Sequence, residues 1–70
     1  LDVSKDRLDY TVDGESCRHV PNTEEGLRKL AAELAKITPP ARVVCEATGG
    51  YERAAVAALL AARLEVCVVN

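Results

Sequence analysis

At 70 residues the chain is at most one domain, and a domain this small buries only about 60% of its unfolded surface, so a piece of a larger domain is the expectation. Apolar residues at 49% and charged residues at 29% exclude the disordered class. A net charge of −2 supplies no basic surface and neither assigns nor excludes a nucleic-acid partner.

Both ends agree with a partial domain, since the chain opens without Met on "LDVS" and stops on "EVCVVN", where an apolar strand has just finished. Cys17, Cys45 and Cys67 are odd in number and widely spaced, with no Cys-x-x-Cys pair, so they suggest neither a disulfide framework nor a zinc site. Each sits in an apolar stretch and is expected as a small buried residue in a reducing cytosol. No signal peptide or membrane-length apolar run is present, so no membrane partner is expected.

In chain order, "LDV" reads as the tail of a first strand, and Ser4 to Arg7 as a polar connection. "LDYTV", Leu8 to Val12, alternates apolar and polar residues, the period of a strand with one wet face. Asp13-Gly14 predicts a tight turn, and "ESCRHV", Glu15 to Val20, its antiparallel return. Pro21 ends the hairpin. "NTEEGLRKLAAELAKI" then predicts an amphipathic helix, with Asn22 or Thr23 as N-cap, an Asn-x-x-Glu box available, and Leu27, Leu30, Leu34 and Ile37 on one face.

Thr38-Pro39-Pro40 stops that helix, and "RVVCEA", Arg42 to Ala47, is apolar on consecutive positions, as expected of a strand covered on both faces. After Gly49-Gly50, "YERAAVAALLAARL" predicts a second helix facing inward with Val56, Leu59, Leu60 and Leu64, and "EVCVVN" one more buried strand. Two strand–helix–strand passages imply parallel neighbours with right-handed crossovers. The expected fold is α/β: a mixed sheet of the ribonuclease H type, antiparallel hairpin strands first and parallel strands with intervening helices after. Residues 1–70 would form the N-terminal part of one such domain. A flavodoxin-like or Rossmann sheet fits less well, because those begin with parallel units.

In such a sheet the first strand lies beside the strand that follows the first helix, which brings Asp2 and Glu46 onto strands about 4.8 Å apart. Carboxylates that close repel unless a cation lies between them, and Mg²⁺ is the hard ion that oxygen ligands attract. Paired Mg²⁺ ions serve in-line phosphoryl displacement and need more than two carboxylates, so this would be half a site. The alternative is that both acids simply end strands at the solvent edge. The Gly-Gly turn directly after Glu46, where backbone can approach a ligand closely, favours the metal.

"LDVSKDRLDYTV", "PNTEEGLRKLAAEL" and "VVCEATGGYERAAVAALLAARLEVCVVN", in that order, resemble the N-terminal catalytic domain of an insertion-sequence transposase family, number one hundred and ten, whose nuclease domain is similar to the Holliday-junction resolvase RuvC. The resemblance covers essentially all of the chain. It implies that Asp2 and Glu46 are the first two of four acidic, catalytic metal ligands, with two aspartates following further along. It also implies Mg²⁺ or Mn²⁺, DNA cleavage and strand transfer, a homo-oligomer, an element-encoded guide RNA, and the cytoplasm of a bacterial or archaeal cell. One departure is the N-terminus, where the family has further apolar residues and usually a Gly before its first motif.

Four residues are secondary candidates for nucleic-acid contact. Ser4 and Lys5 follow Asp2 in a loop where an ammonium could meet a phosphate. Thr48 and Tyr51 lead into a helix N-terminus, which favours anions, and Tyr51 could stack on a base or pack at the helix start. His19 lacks a ligand partner at metal spacing and reads as structural or exposed. Asp6, Asp9, Asp13 and Glu52 read as turn or surface charges, with Asp9 notable on the polar face of its strand. A sugar-kinase or actin-like ATP-binding domain opens similarly, but its first Asp is surrounded by glycines that "LDVSKDRLD" lacks. A non-catalytic binding module on the same fold is the remaining alternative.

Overall fold

The computed structural model describes residues 1–12, 14 and 16–70. Five strands and two helices follow in the order β1 (Asp2–Val3), β2 (Arg7–Thr11), β3 (Cys17–Pro21), α1 (Glu24–Ala35), β4 (Arg42–Glu46), α2 (Arg53–Ala61) and β5 (Glu65–Val69). The chain is thus a mixed α/β unit. β1, β2 and β3 form an antiparallel sheet in chain order, and β4 pairs with β5 in parallel. β1 also touches β4, and the Leu1 nitrogen donates to the Val44 carbonyl at 2.9 Å. Of the two strand–helix–strand passages, only β4–α2–β5 joins hydrogen-bonded parallel neighbours; the passage through α1 carries the chain past β2 to the far side of β1.

Alternation decides which side chains go inside. Val3, Leu8 and Val20 are register partners across the first sheet, and so, on the opposite face, are Asp2, Asp9 and His19. The apolar row meets Leu27, Leu30 and Leu34 of α1, Val43 and Cys45 of β4, and Ala55 and Leu59 of α2 in one core. Leu8, Leu30, Leu59 and Cys45 are fully buried, each Leu being worth about 1.5–3 kcal/mol in transfer. Tyr10 adds a polar tie, its hydroxyl donating to Glu33 of α1 at 2.7 Å, while Arg18 of β3 bonds the other Glu33 oxygen.

Helix α1 starts where Thr23 accepts the Gly26 amide at 3.1 Å. The residue three beyond this cap is Gly26, which has no side chain to reach back, so the Asn-x-x-Glu box is replaced by a single cap. Glu24 and Glu25 occupy the first turn, as expected, and pair with Arg28 and Lys29 one turn on. Ile37 falls just beyond the helix and is half-buried.

Helix α2 begins at Arg53 rather than Tyr51 and ends in a Schellman motif, with Leu64 N–H donating to Leu59 O at 3.1 Å and Arg63 N–H to Leu60 O at 2.9 Å. Leu64 is buried beyond the helix end rather than on its face, and Leu60 is 54% exposed.

Other expectations need correction. β4 is not covered on both faces: Val43 and Cys45 are buried while Val44 is 50% exposed. β5 is not a buried strand either, with Val66 half-buried and Val68 and Val69 exposed. Both helices pack on one side of the strands, so Val44 and Val69 face outward however apolar they are, whereas Val68, in register with Cys45 on the helix side, lines an open cleft beside Val56 and Leu60 of α2. For the same reason only Cys45 of the three cysteines is buried; Cys17 and Cys67 are exposed. Asp13 and Glu15, expected in the turn and at the start of its return, lie outside the described residues, and between them Gly14 has φ +69°. Among the described residues no helix is long and apolar enough to cross a membrane.

Candidate metal centre

Asp2 and Glu46 do come to one place. A cleft of about 420 Å³ on the helix-free side of the strands is lined by Leu1, Asp2, Asp9, Thr11, Val44 and Glu46, among others. β1 carries Asp2 there because its neighbour Val3 turns into the core. β4 carries Glu46 there because Cys45 does the same, leaving Glu46 on the parity of exposed Val44. The bond between Leu1 and Val44 sits one residue before Asp2 and two before Glu46, tying the two strands just upstream of both acids.

Asp2 and Glu46 are exposed, and neither carboxylate has a hydrogen-bond or ion-pair partner among the described residues. Asp9 differs. It stands opposite Asp2 in register and lines the same cleft, but Arg7 engages its carboxylate at 3.4 Å. Asp9 is therefore more than a surface charge: with Asp2 it places two like charges side by side across a strand pair, a destabilising arrangement that Arg7 partly offsets.

Two free carboxylates on adjoining strands are hard oxygen donors. They suit Mg²⁺ or Mn²⁺ rather than a thiophilic metal. Among the described residues no group of three or more His, Cys, Asp or Glu side chains is gathered closely enough to hold a metal alone. That count is compatible with Mg²⁺, which keeps several waters and is usually bound through one or two carboxylates together with substrate phosphates.

The turn after Glu46 departs from expectation at one residue. Gly49 and Gly50 have φ +78° and +121°, so the backbone does need glycine here. Glu52, expected at the surface, is buried at 8% exposure, and its Oε1 accepts the Thr48 N–H at 2.8 Å. That amide, with those of Glu52 itself and Gly50, holds the Glu52 carboxyl below the usual carboxylate range against the opposing effect of burial. The amide cradle entering α2, read from the sequence as an anion site, thus already contains an anion from the chain itself. Thr48 Oγ1 and Glu52 Oε2 are both buried without a partner in the protein.

The remaining candidates do not enter the cleft lining. Lys5 is exposed, and the Ser4 hydroxyl closes its own loop by bonding to Arg7 O at 3.0 Å. Tyr51 is 52% exposed. His19 is exposed, in register with Asp9. Cys45, next to Glu46, is an inert thiol: burial, reinforced by the Glu52, Glu46 and Asp2 carboxylates, pushes its pKa up.

Three residues have roles beyond those read from the sequence, although Asp9 already stands out there on the polar face of its strand. The role of Asp9 could have been found by pairing "LDV" with "RLDY" as a hairpin, which sets it opposite Asp2. Glu52 offered no signal, because nothing in "GGYER" shows a carboxylate folding back on its own turn. Asn22 appeared only as a possible cap, yet its side-chain amide bonds two loops at once, to Ser4 O at 3.0 Å and Tyr51 O at 3.3 Å.

Comparison with known families first assigns the class: residues 1–70 match a transposase family. The chain belongs to the DEDD transposase family of IS110 type, and that family implies interaction with DNA. None of the curated proteins matches the chain.

Proposed function

We propose that the chain is the N-terminal part of a RuvC-like nuclease domain of ribonuclease H type, in which Asp2 and Glu46 hold Mg²⁺ or Mn²⁺ for DNA cleavage and strand transfer during transposition. The observation that carries this reading is the convergence of two unpartnered carboxylates, from strands forty-four positions apart in sequence, on one cleft. The metal supplies charge neutralisation at a phosphoryl group and activation of an attacking oxygen. The protein's share is to present Asp2 and Glu46 at the ends of short, packed strands, to keep Asp9 occupied by Arg7, and to leave the cleft open on the side away from the helices. DNA enters as the source of phosphate oxygens that complete the coordination begun by two carboxylates. Lys5, at the tip of the β1–β2 loop, supplies a cation for the same backbone. Tyr51, half exposed beside Gly50, supplies a ring for a base or sugar. A homo-oligomer and a guide RNA belong to the same reading through the family alone.

Mn²⁺ titration followed by paramagnetic broadening of amide signals tests it. Asp2→Ala and Glu46→Ala should each weaken binding by at least about tenfold, as even outer-shell losses do. Asp9→Ala should weaken it less. In the transposase carrying this domain, the first two substitutions should abolish metal-dependent DNA cleavage. Unchanged Mn²⁺ affinity in both Asp2→Ala and Glu46→Ala would overturn the assignment.

A further inference from the structure

Asn22 lies between β3 and α1, outside the cleft, and makes three hydrogen bonds to two loops. Its backbone N–H donates to Asp6 O at 2.9 Å, and its side-chain amide donates to Ser4 O at 3.0 Å and to Tyr51 O at 3.3 Å. Both hydrogens of one NH₂ group are thereby spent on carbonyls far apart in sequence. Ser4 opens the loop that follows Asp2, and Tyr51 belongs to the turn that follows Glu46.

The placement matters because Val3 of β1 and Val43 and Cys45 of β4 share the core, while the acids stand on the opposite face where polar contacts set their separation. β1 and β4 lie side by side, and each runs directly into a loop beyond its acid. Upstream of the acids, the Leu1 nitrogen bonds to the Val44 carbonyl. Downstream, the Asn22 amide links the loops into which they run. The two contacts bracket Asp2 and Glu46 on both sides.

We propose that Asn22 is a positioning residue that sets the separation of Asp2 and Glu46 by clamping the loops that follow them, an inference that rests on the metal-binding reading above. Two carboxylates on neighbouring strands repel each other, and a tie between the loops that follow them opposes their separation. A tie made by a neutral amide adds no charge to the site. It acts as outer-shell groups do at metal centres, by prepaying the ordering of the ligands.

The test uses the chain with Mn²⁺ alone, in wild type, Asn22→Ala, Glu46→Ala and the double variant. Asn22→Ala should weaken Mn²⁺ binding by about tenfold, and in the Glu46→Ala background it should have no further effect, because no pair remains to be aligned. A residue that only stabilises the fold would lower the melting temperature and leave the affinity of folded protein unchanged; that result overturns the proposal.

Should Asn22→Ala fail to fold, the wild type carries the test by reciprocity: saturating Mg²⁺ should slow solvent exchange of the Asn22 side-chain amide protons. Exchange indifferent to Mg²⁺ overturns the proposal as well. If the wild type shows no Mn²⁺ binding that depends on Asp2 and Glu46, the metal reading itself has failed and the clamp falls with it.

Discussion

Replacing Gly26 by alanine sets two effects of opposite sign against each other. Alanine is favoured over glycine in a helix interior by about 0.8–1.0 kcal/mol, and Gly26 lies in the first turn of α1, so propensity alone predicts stabilisation. The structure predicts the reverse. A Cβ on Gly26 would stand 2.1 Å from the Pro21 carbonyl oxygen and 3.0 Å from Pro21 Cγ. Ordinary carbon–oxygen approaches are about 3.3 Å or more, so helix and strand would have to separate by roughly 1.2 Å.

Neither side yields easily. Pro21 is the last residue of β3 and is held in register with Arg7, and the Gly26 amide is fixed by the Thr23 cap. Overpacking of this kind costs about 1–3 kcal/mol, and backbone displacement places it at the upper end. Net of propensity, Gly26→Ala should lose about 1–2 kcal/mol. At about 4–8 °C per kcal/mol for a domain of this size, the melting temperature should fall by roughly 5–15 °C. Thermal unfolding followed by far-ultraviolet circular dichroism reads this directly. A melting temperature equal to or above wild type would show that Pro21 moves aside at no cost, and would refute the argument.

Three further outcomes are expected. Arg63 occupies the left-handed position of the α2 Schellman motif with φ +64°, so Arg63→Gly should raise stability by about 0.5–1 kcal/mol, the relieved strain of about 1–2 kcal/mol less the added freedom of the unfolded chain; a fall in melting temperature would count against the strain. Tyr10→Phe removes the hydroxyl bonded to the Glu33 carboxylate and should cost about 1–2 kcal/mol in urea unfolding, whereas a neutral result would mean that Arg18 alone holds Glu33. For Glu52 the sign follows from a folded pKa held below the usual carboxylate value by the Thr48 amide: its contribution is complete above that usual value and is lost as pH falls through the folded pKa. Wild type should therefore lose stability relative to Glu52→Gln as pH falls through and below the usual carboxylate range. Parallel acid limbs for the two proteins would exclude Glu52 as a source of acid lability.

The site was partly readable in one dimension because its parts are local. "LDVS" and "VVCEATGGYE" each combine an apolar strand, an acid at its end and a turn, which is enough to mark Asp2 and Glu46; that Glu46 faces away from the core appears only once one face of β4 is seen to be uncovered. The helix carrying Leu27, Leu30 and Leu34 was readable for the same reason: its period is written in consecutive residues. Glu52 was misread because a carboxylate beside two glycines looks solvated until the turn is closed and Thr48 N–H is seen to meet it.

What the sequence determined by itself were the elements, their order and, for β2, the parity that separates core from solvent, since each depends on residues within one strand or one helix turn. What only the tertiary structure decided were relations between segments. These are the row of Asp2, Asp9 and His19 across three strands, the exposure of Val44 and Val69 on a face without helices, the clash that keeps position 26 a glycine, and the reach of Asn22 to two loops. Burial and hydrogen-bond partnership belong to pairs of distant segments, and apolar valines read the same in sequence whether one face of their strand is covered or both.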